Sequence, residues 1–148
     1  MYKSKVCKMH AQAAKGMIYM LKTGLTGREQ AIVNLSKCAK EMGSGSLEIY
    51  ATPAMCALME AASVNCIEGH LEPGKTTVGV SINIKHTSPT AVGMTVGAES
   101  TLTEIDGRRL VFSITAYDKA GEIGTAVHER MIVDSSKILE KASSKINS

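Results

Sequence analysis

The 148-residue sequence is short of aromatic side chains: they make up 3% of it, with no Trp and one Phe. Tyr2 and Tyr19 take two of the five, leaving Tyr50, Phe112 and Tyr117 for the rest of the chain. A platform that stacks single-stranded nucleic acid on interleaved aromatics is excluded by that scarcity. The elements must instead pack closely through small and aliphatic side chains.

Acids are absent from residues 1–22, which hold Lys3, Lys5, Lys8, Lys15 and Lys22. Setting those aside leaves 12 basic against 14 acidic side chains, a net −2, for residues 23–148. The formal +3 of the chain therefore belongs to the leader, and the remainder has no polybasic footprint for DNA or a membrane surface.

Long apolar runs are missing too. Met17–Leu21 is too short for a signal-peptide core, the leader lacks Arg, and nothing approaches the roughly 20 apolar residues of a membrane span. Cys7, Cys38, Cys56 and Cys66 contain no CxxC pair, and His10, His70, His86 and His128 make no spaced ligand set with them. A structural zinc and a disulfide framework are both disfavoured. Cys56 and Cys66, ten apart on one predicted helix, would lie about 15 Å apart along its axis, too far to bridge. With 44% hydrophobic residues, the sequence describes one cytoplasmic domain with buried thiols and no metal.

Thr52-Pro53 is the clearest helix start, with Thr as N-cap and Pro where an amide would have no partner. Met55, Leu58, Met59 and Ala62 form its apolar stripe, and Ala54, Ala57 and Ala61 allow close approach. Upstream, Ile32, Leu35, Ala39 and Met42 recur at helical spacing, although Gln30–Asn34 reads equally as a strand. Gly43–Ser46 is a loop. Four strands follow. Val78, Val80, Ile82 and Ile84 are predicted on one face of Thr77–His86, opposite Gly79, Ser81, Asn83 and Lys85. Met94–Ile105 and Arg109–Asp118 flank the Asp106-Gly107 hairpin turn, Leu110, Phe112, Ile114 and Ala116 share a face, and Glu122–Val133 follows. A polar helix over Ser135–Ser143 closes the chain, with Lys137 and Lys141 on its solvated face. This is an α+β pattern, one long helix laid on an antiparallel sheet.

His86 continues the predicted apolar row at a strand end, so it is either a satisfied core histidine or a base tuned by its surroundings. Glu60 has Cys56, Ala57, Ser63 and Val64 as its helical neighbours, a small-residue face rather than a charged one. It reads as a surface or a functional carboxylate. Thr52 already has a capping role. His128 and Arg130 share a strand face with Gly124 and Ala126. That face is either solvated or has room for a phosphate- or carboxylate-bearing ligand.

Gly43-Ser44-Gly45, Ala51-Thr52-Pro53, Leu58-Met59-Glu60-Ala61-Ala62, Leu71-Glu72-Pro73-Gly74, Val78-Gly79, His86-Thr87, Asp106-Gly107-Arg108-Arg109-Leu110 and His128-Glu129-Arg130, in this order and spacing, resemble the hotdog-fold thioesterases of the fluoroacetyl-CoA thioesterase type. The resemblance runs from about Leu21 to Val133. It implies an antiparallel sheet wrapped around one long central helix and a homodimer, or two such dimers paired, with a continuous sheet across the interface. It also implies that Arg28–Leu35 is the first strand.

By position, the resemblance assigns catalysis to Thr52, Glu60 and His86, backbone contact with the thioester to Gly79, and a place near the site to Arg130. It sets the trio at the dimer interface, the helix of one subunit facing the strand of the other. The implied reaction is hydrolysis of an acyl-CoA to acid and CoA, with no cofactor beyond the CoA of the substrate, no nucleic acid and no membrane. A non-catalytic acyl-CoA binder and a hydratase are the alternatives. The family's phenylalanine-rich lid corresponds to Gly43–Tyr50, where Tyr50 is the single aromatic, so a small acyl group other than fluoroacetyl is expected. Residues 1–20 read as a basic extension from an upstream start codon, and residues 21–148 as the thioesterase domain.

Overall fold

Asp106-Gly107 turns the chain as its sequence predicts. Gly107 adopts φ +59°, a left-handed conformation that glycine reaches without strain, and Asp106 pairs with Arg109 across the hairpin. The computed structural model describes residues 20–148; residues 1–19, with Cys7 and His10, lie outside the described residues. The turn joins β3 (Thr95–Asp106) to β4 (Arg109–Asp118), and β5 (Gly121–Asp134) follows at once. β1 (Thr26–Ile32) adds to β3, and β2 (Lys75–His86) adds to β5. The sheet is antiparallel throughout, in the order β1-β3-β4-β5-β2, so β2 is an edge strand.

Against its inner face lies the helix α2 (Thr52–Cys66), preceded by the short helix α1 (Ala39–Met42). Met55, Leu58, Met59, Ala62 and Cys66 are buried, as the apolar stripe predicts. They meet Leu110, Phe112, Ile114 and Ala116 of β4 and Val96, Ala98 and Leu102 of β3, all buried. Each large aliphatic or aromatic side chain in this core contributes about 1.5–3 kcal/mol through burial. Ser63, also on the helix, satisfies itself through Ser100 Oγ (2.9 Å) and the Met59 carbonyl (3.0 Å). The close packing expected from aromatic scarcity is clearest at Gly27 on β1. A Cβ there would run into the backbone of Ala62 and Cys66 in the last turns of α2.

Three local expectations change. The first strand is Thr26–Ile32 rather than Arg28–Leu35, and the helix-like row Ile32, Leu35 and Met42 is exposed, not a core stripe. The N-cap of α2 is Ala51, one residue earlier than predicted. Its carbonyl accepts from Met55 N–H, and no side chain caps the end. The third change concerns β2. A bulge at Val80 sets Gly79 opposite Arg130 and Ser81 opposite Glu129, with Val80 outside the ladder. Alternation switches there, so Thr77 and Gly79 share the inner face with Ile82, Ile84 and His86, whose partners on β5 are His128, Ala126 and Gly124. Val80 is left 53% exposed, and the single row Val78–Ile84 does not form. At the C-terminus, Asp134 caps α3 (Ser135–Ser143), accepting from the amides of Ser136 and Lys137.

Candidate active site

Relieved of the capping role, the Thr52 hydroxyl lies 2.9 Å from His86 Nδ1. Thr52 is exposed at the first turn of α2, while His86 is half-buried at the end of β2. The Tyr50 ring meets the imidazole edge-on, with centroids 6.2 Å apart and an interplanar angle of 78°. Burial pushes the His86 pKa down, with the Ser88 backbone acting in the opposite sense. The ring is therefore neutral at neutral pH, and Nδ1 can accept the Thr52 proton. His86 Nε2 is buried with no hydrogen-bond partner among the described residues. Tyr50, itself buried, has its phenol pushed up to about 12 by desolvation.

Glu60 belongs to a second cluster. It lies eight residues beyond Thr52 on α2, roughly 12 Å along the axis. Its Oε2 faces Arg130 Nη1 at 3.5 Å, and Cys56 Sγ approaches Oε1 at 3.8 Å. Arg130 is 7% exposed. Its Nε donates to Thr77 Oγ1 (2.8 Å), Nη2 to the Thr77 carbonyl (3.0 Å), and Nη1 to His128 Nε2 (3.2 Å). His128, 1% exposed, donates from Nδ1 to the Ser81 carbonyl at 2.8 Å. Those two partners fix one neutral tautomer, with Nδ1 protonated and Nε2 accepting. Burial pushes the His128 pKa down, and Arg130 adds to that, against the pull of Ser81 and Glu60. Gly79 lies over this cluster. A Cβ there would come within 3.1 Å of Glu60 Oε2 and 3.3 Å of His128 Cε1. Glycine thus keeps open the space directly above the carboxylate.

The five residues expected at the site fall into two groups within one chain, Thr52 with His86, and Glu60 with Gly79 and Arg130. Within one protomer, helix and strand meet at Thr52 and His86, while Glu60 of the same chain lies in the other group. The face of His128 and Arg130 is packed against the helix rather than open. Thr77 and His128 were missed as its supports. The His128-Glu129-Arg130 spacing put His128 on the face of Arg130, but the position of Thr77 depends on the bulge.

A family model described as fluoroacetyl-CoA-specific thioesterase matches residues 33–136. The chain is 38% identical over 99 residues to the fluoroacetyl-CoA thioesterase of Streptantibioticus cattleyicolor, covering 67% of this chain and 68% of that protein. Among solved structures, it is similar to the fluoroacetyl-CoA thioesterase FlK, with a TM-score of 0.79, 30% identity, and coverage of 85% of this chain and 98% of that one. A hot-dog-like protein from Thermanaerovibrio acidaminovorans shares the fold, with a TM-score of 0.76 at 22% identity over 88% of this chain and 95% of that one.

Proposed function

Because the chain belongs to the fluoroacetyl-CoA-specific thioesterase family, and is by that membership an acyl-CoA thioesterase of the hotdog fold, we propose that it acts in the cytoplasm as a homodimer on a small acyl-CoA, with Thr52 and His86 as nucleophile and base. The observation that carries this reading is the 2.9 Å contact between the Thr52 hydroxyl and His86 Nδ1. As the Thr52 oxygen attacks the thioester carbonyl, its proton passes to Nδ1. Collapse of the tetrahedral intermediate releases the CoA thiolate, which takes that proton, and leaves an acyl-threonine. His86 then takes a proton from a water that attacks the acyl-threonine, and returns it to the Thr52 oxygen as the ester bond breaks and the acid leaves. Base and nucleophile come from side chains, so no cofactor is invoked beyond the CoA of the substrate. No helix among the described residues is long and apolar enough to cross a membrane.

In this reading Glu60 enters from the second protomer. The free edge of β2 and the half-exposed Glu60 support such a pairing, as does the unpartnered His86 Nε2, a position where a carboxylate would stabilise the imidazolium. Arg130 holds Glu60, and Gly79 leaves room for the thioester. The dimer is tested by mixing two inactive variants, Thr52→Ala and Glu60→Ala. A shared site leaves each mixed dimer one intact Thr52–His86–Glu60 set, so activity should return to about a quarter of wild type at equal mixing. No recovery in demonstrably mixed dimers would place all three residues in one chain's site and end this reading.

The lid segment bears on the acyl group. Its one aromatic, Tyr50, is packed against His86 and so unavailable as a gate, while Leu47 is exposed. Beside Tyr50 runs an open groove of about 400 Å³ whose helix wall is Pro53, Ala54, Ala57 and Ala61. That groove holds none of Thr52, Glu60, Gly79 or His86, and no aromatic cage stands beside them to select fluorine, so a small acyl group of another kind is expected. Initial rates of thiol release across acyl-CoAs test this; a fluoroacetyl preference far beyond the intrinsic reactivity of that ester would refute it.

A further inference from the structure

At the opposite end of β2 from His86, Lys75, Arg108, Lys137 and Lys141 converge on one groove of about 430 Å³. They come from three separate places: the start of β2, the β3–β4 hairpin, and α3. Lys137 and Lys141, one helical turn apart, share a face of α3. The groove is tied together by main-chain bonds, Ile132 N–H to the Arg108 carbonyl (2.8 Å) and Ser135 N–H to the Gly74 carbonyl (3.0 Å).

Its one acid, Asp134, is committed to capping α3, and its second oxygen stands 4.0 Å from Lys75 Nζ. Among the described residues, Arg108, Lys137 and Lys141 have no carboxylate within ion-pair distance. Residues 1–19 contain no Asp or Glu that could supply one. Four of the 12 cations in residues 23–148, a stretch of net charge −2, therefore gather in one groove. Such a concentration needs a compact polyanion as its counterpart. A nucleic acid would need a longer cationic track than this.

We propose that this groove binds the adenosine 3′,5′-bisphosphate end of CoA, with Arg108, Lys137 and Lys141 on its phosphates and the purine against Ile132 and Ile138. The inference rests on the thioesterase reading, with the thioester at Gly79. Lys75, Thr77 and Gly79 lie on one face of β2 ahead of the bulge, so four residues, roughly 13 Å at about 3.3 Å each, separate the groove from Gly79. The pantetheine arm, counted atom by atom along its chain, has about the length of four extended residues. One extended arm therefore spans the two positions. The guanidinium fork of Arg108 suits a phosphate, and the lysines add point charges on the facing helix.

The test compares acetyl-CoA with S-acetyl-pantetheine, which lacks the nucleotide, in wild type and in Lys137→Glu/Lys141→Glu. Wild type should prefer the CoA ester by about tenfold or more in kcat/KM, through KM, and the double variant should bring that ratio towards one. An unchanged ratio overturns the proposal, as does a wild type without preference. Titration calorimetry with adenosine 3′,5′-bisphosphate reads the groove without turnover. It should bind wild type one per chain, more tightly than ADP, and more weakly to the double variant and to Arg108→Ala. Equal binding to all three proteins overturns the assignment. Binding by a wild type that hydrolyses neither ester would retain the groove and discard the thioesterase reading.

Discussion

The two ends of the paired helix and strand are built to opposite standards. At the Glu60 end every guanidinium nitrogen of Arg130 has an acceptor, and both ring nitrogens of His128 are satisfied. At the Thr52 end a single hydrogen bond joins an exposed hydroxyl to an imidazole whose other nitrogen has no partner. A saturated buried network holds its members in one arrangement, whereas an unmet donor or acceptor marks where something else must arrive. The first cluster is built for positioning and the second for chemistry.

Substitutions at the two ends should therefore separate activity from stability. His86→Ala removes the base and should lower kcat/KM by about 10²–10⁴-fold, measured by thiol release, while hardly moving the unfolding midpoint. Arg130→Met should do more to stability. It strands His128 Nε2 and the Thr77 acceptors inside the protein, and should cost roughly 1.5–3 kcal/mol in chemical denaturation. Comparable destabilisation by both variants would erase the distinction.

Gly79→Ala probes the border between the two clusters. Its methyl would press on Glu60 Oε2 and His128. Displacing the carboxylate by a few tenths of an ångström or more should reduce kcat/KM by about 10–100-fold, with the fold retained by circular dichroism. A fully active Gly79→Ala would mean that the gap above Glu60 is not used.

Much of this architecture was legible in the sequence. Thr52-Pro53 and the stripe from Met55 to Ala62 located the helix, and Asp106-Gly107 with Leu110–Ala116 located the central hairpin. These signals are local, arising from one element's own spacing. The bulge at Val80 was not legible, because apolar residues alternate with small or polar ones without a break from Val78 to Ile84. Everything that depends on it was hidden as well, above all the inward turn of Thr77 and its bonds to Arg130. Arg130 is buried only because β2, β5 and α2 each supply a partner. The Thr52–His86 contact was likewise beyond spacing rules, since it joins residues 34 apart in the chain.

The two histidines predict how acidity acts on each cluster. Both have folded pKa values pushed below the ordinary 6.5 by burial. Between that depressed value and 6.5 the unfolded chain binds more protons than the folded one. Stability is therefore fully present above pH 6.5 and falls as pH drops through this window. Activity, which needs neutral His86, should fall as pH passes the pKa of that ring in the dimer; a Glu60 carboxylate at Nε2 moves this limb upward, so Glu60→Gln should shift it to lower pH. His128→Asn, which keeps a side-chain amide near the Ser81 carbonyl, should flatten part of the stability slope but leave the acid limb of kcat in place. A shifted acid limb in that variant would tie the base to the wrong histidine.

The smallest effect is expected where the aromatic scarcity of the sequence meets the site. Tyr50 touches His86 through its ring edge, and no hydrogen bond is formed by its hydroxyl among the described residues. Tyr50→Phe preserves the edge contact and should change kcat by less than about threefold, a difference below 0.7 kcal/mol. Tyr50→Ala removes the packing that orients the imidazole and should cost substantially more, through kcat rather than KM. If the two variants lost activity equally, the hydroxyl would be the working group, and the open end of the helix–strand pair would hold a third polar participant beside Thr52 and His86.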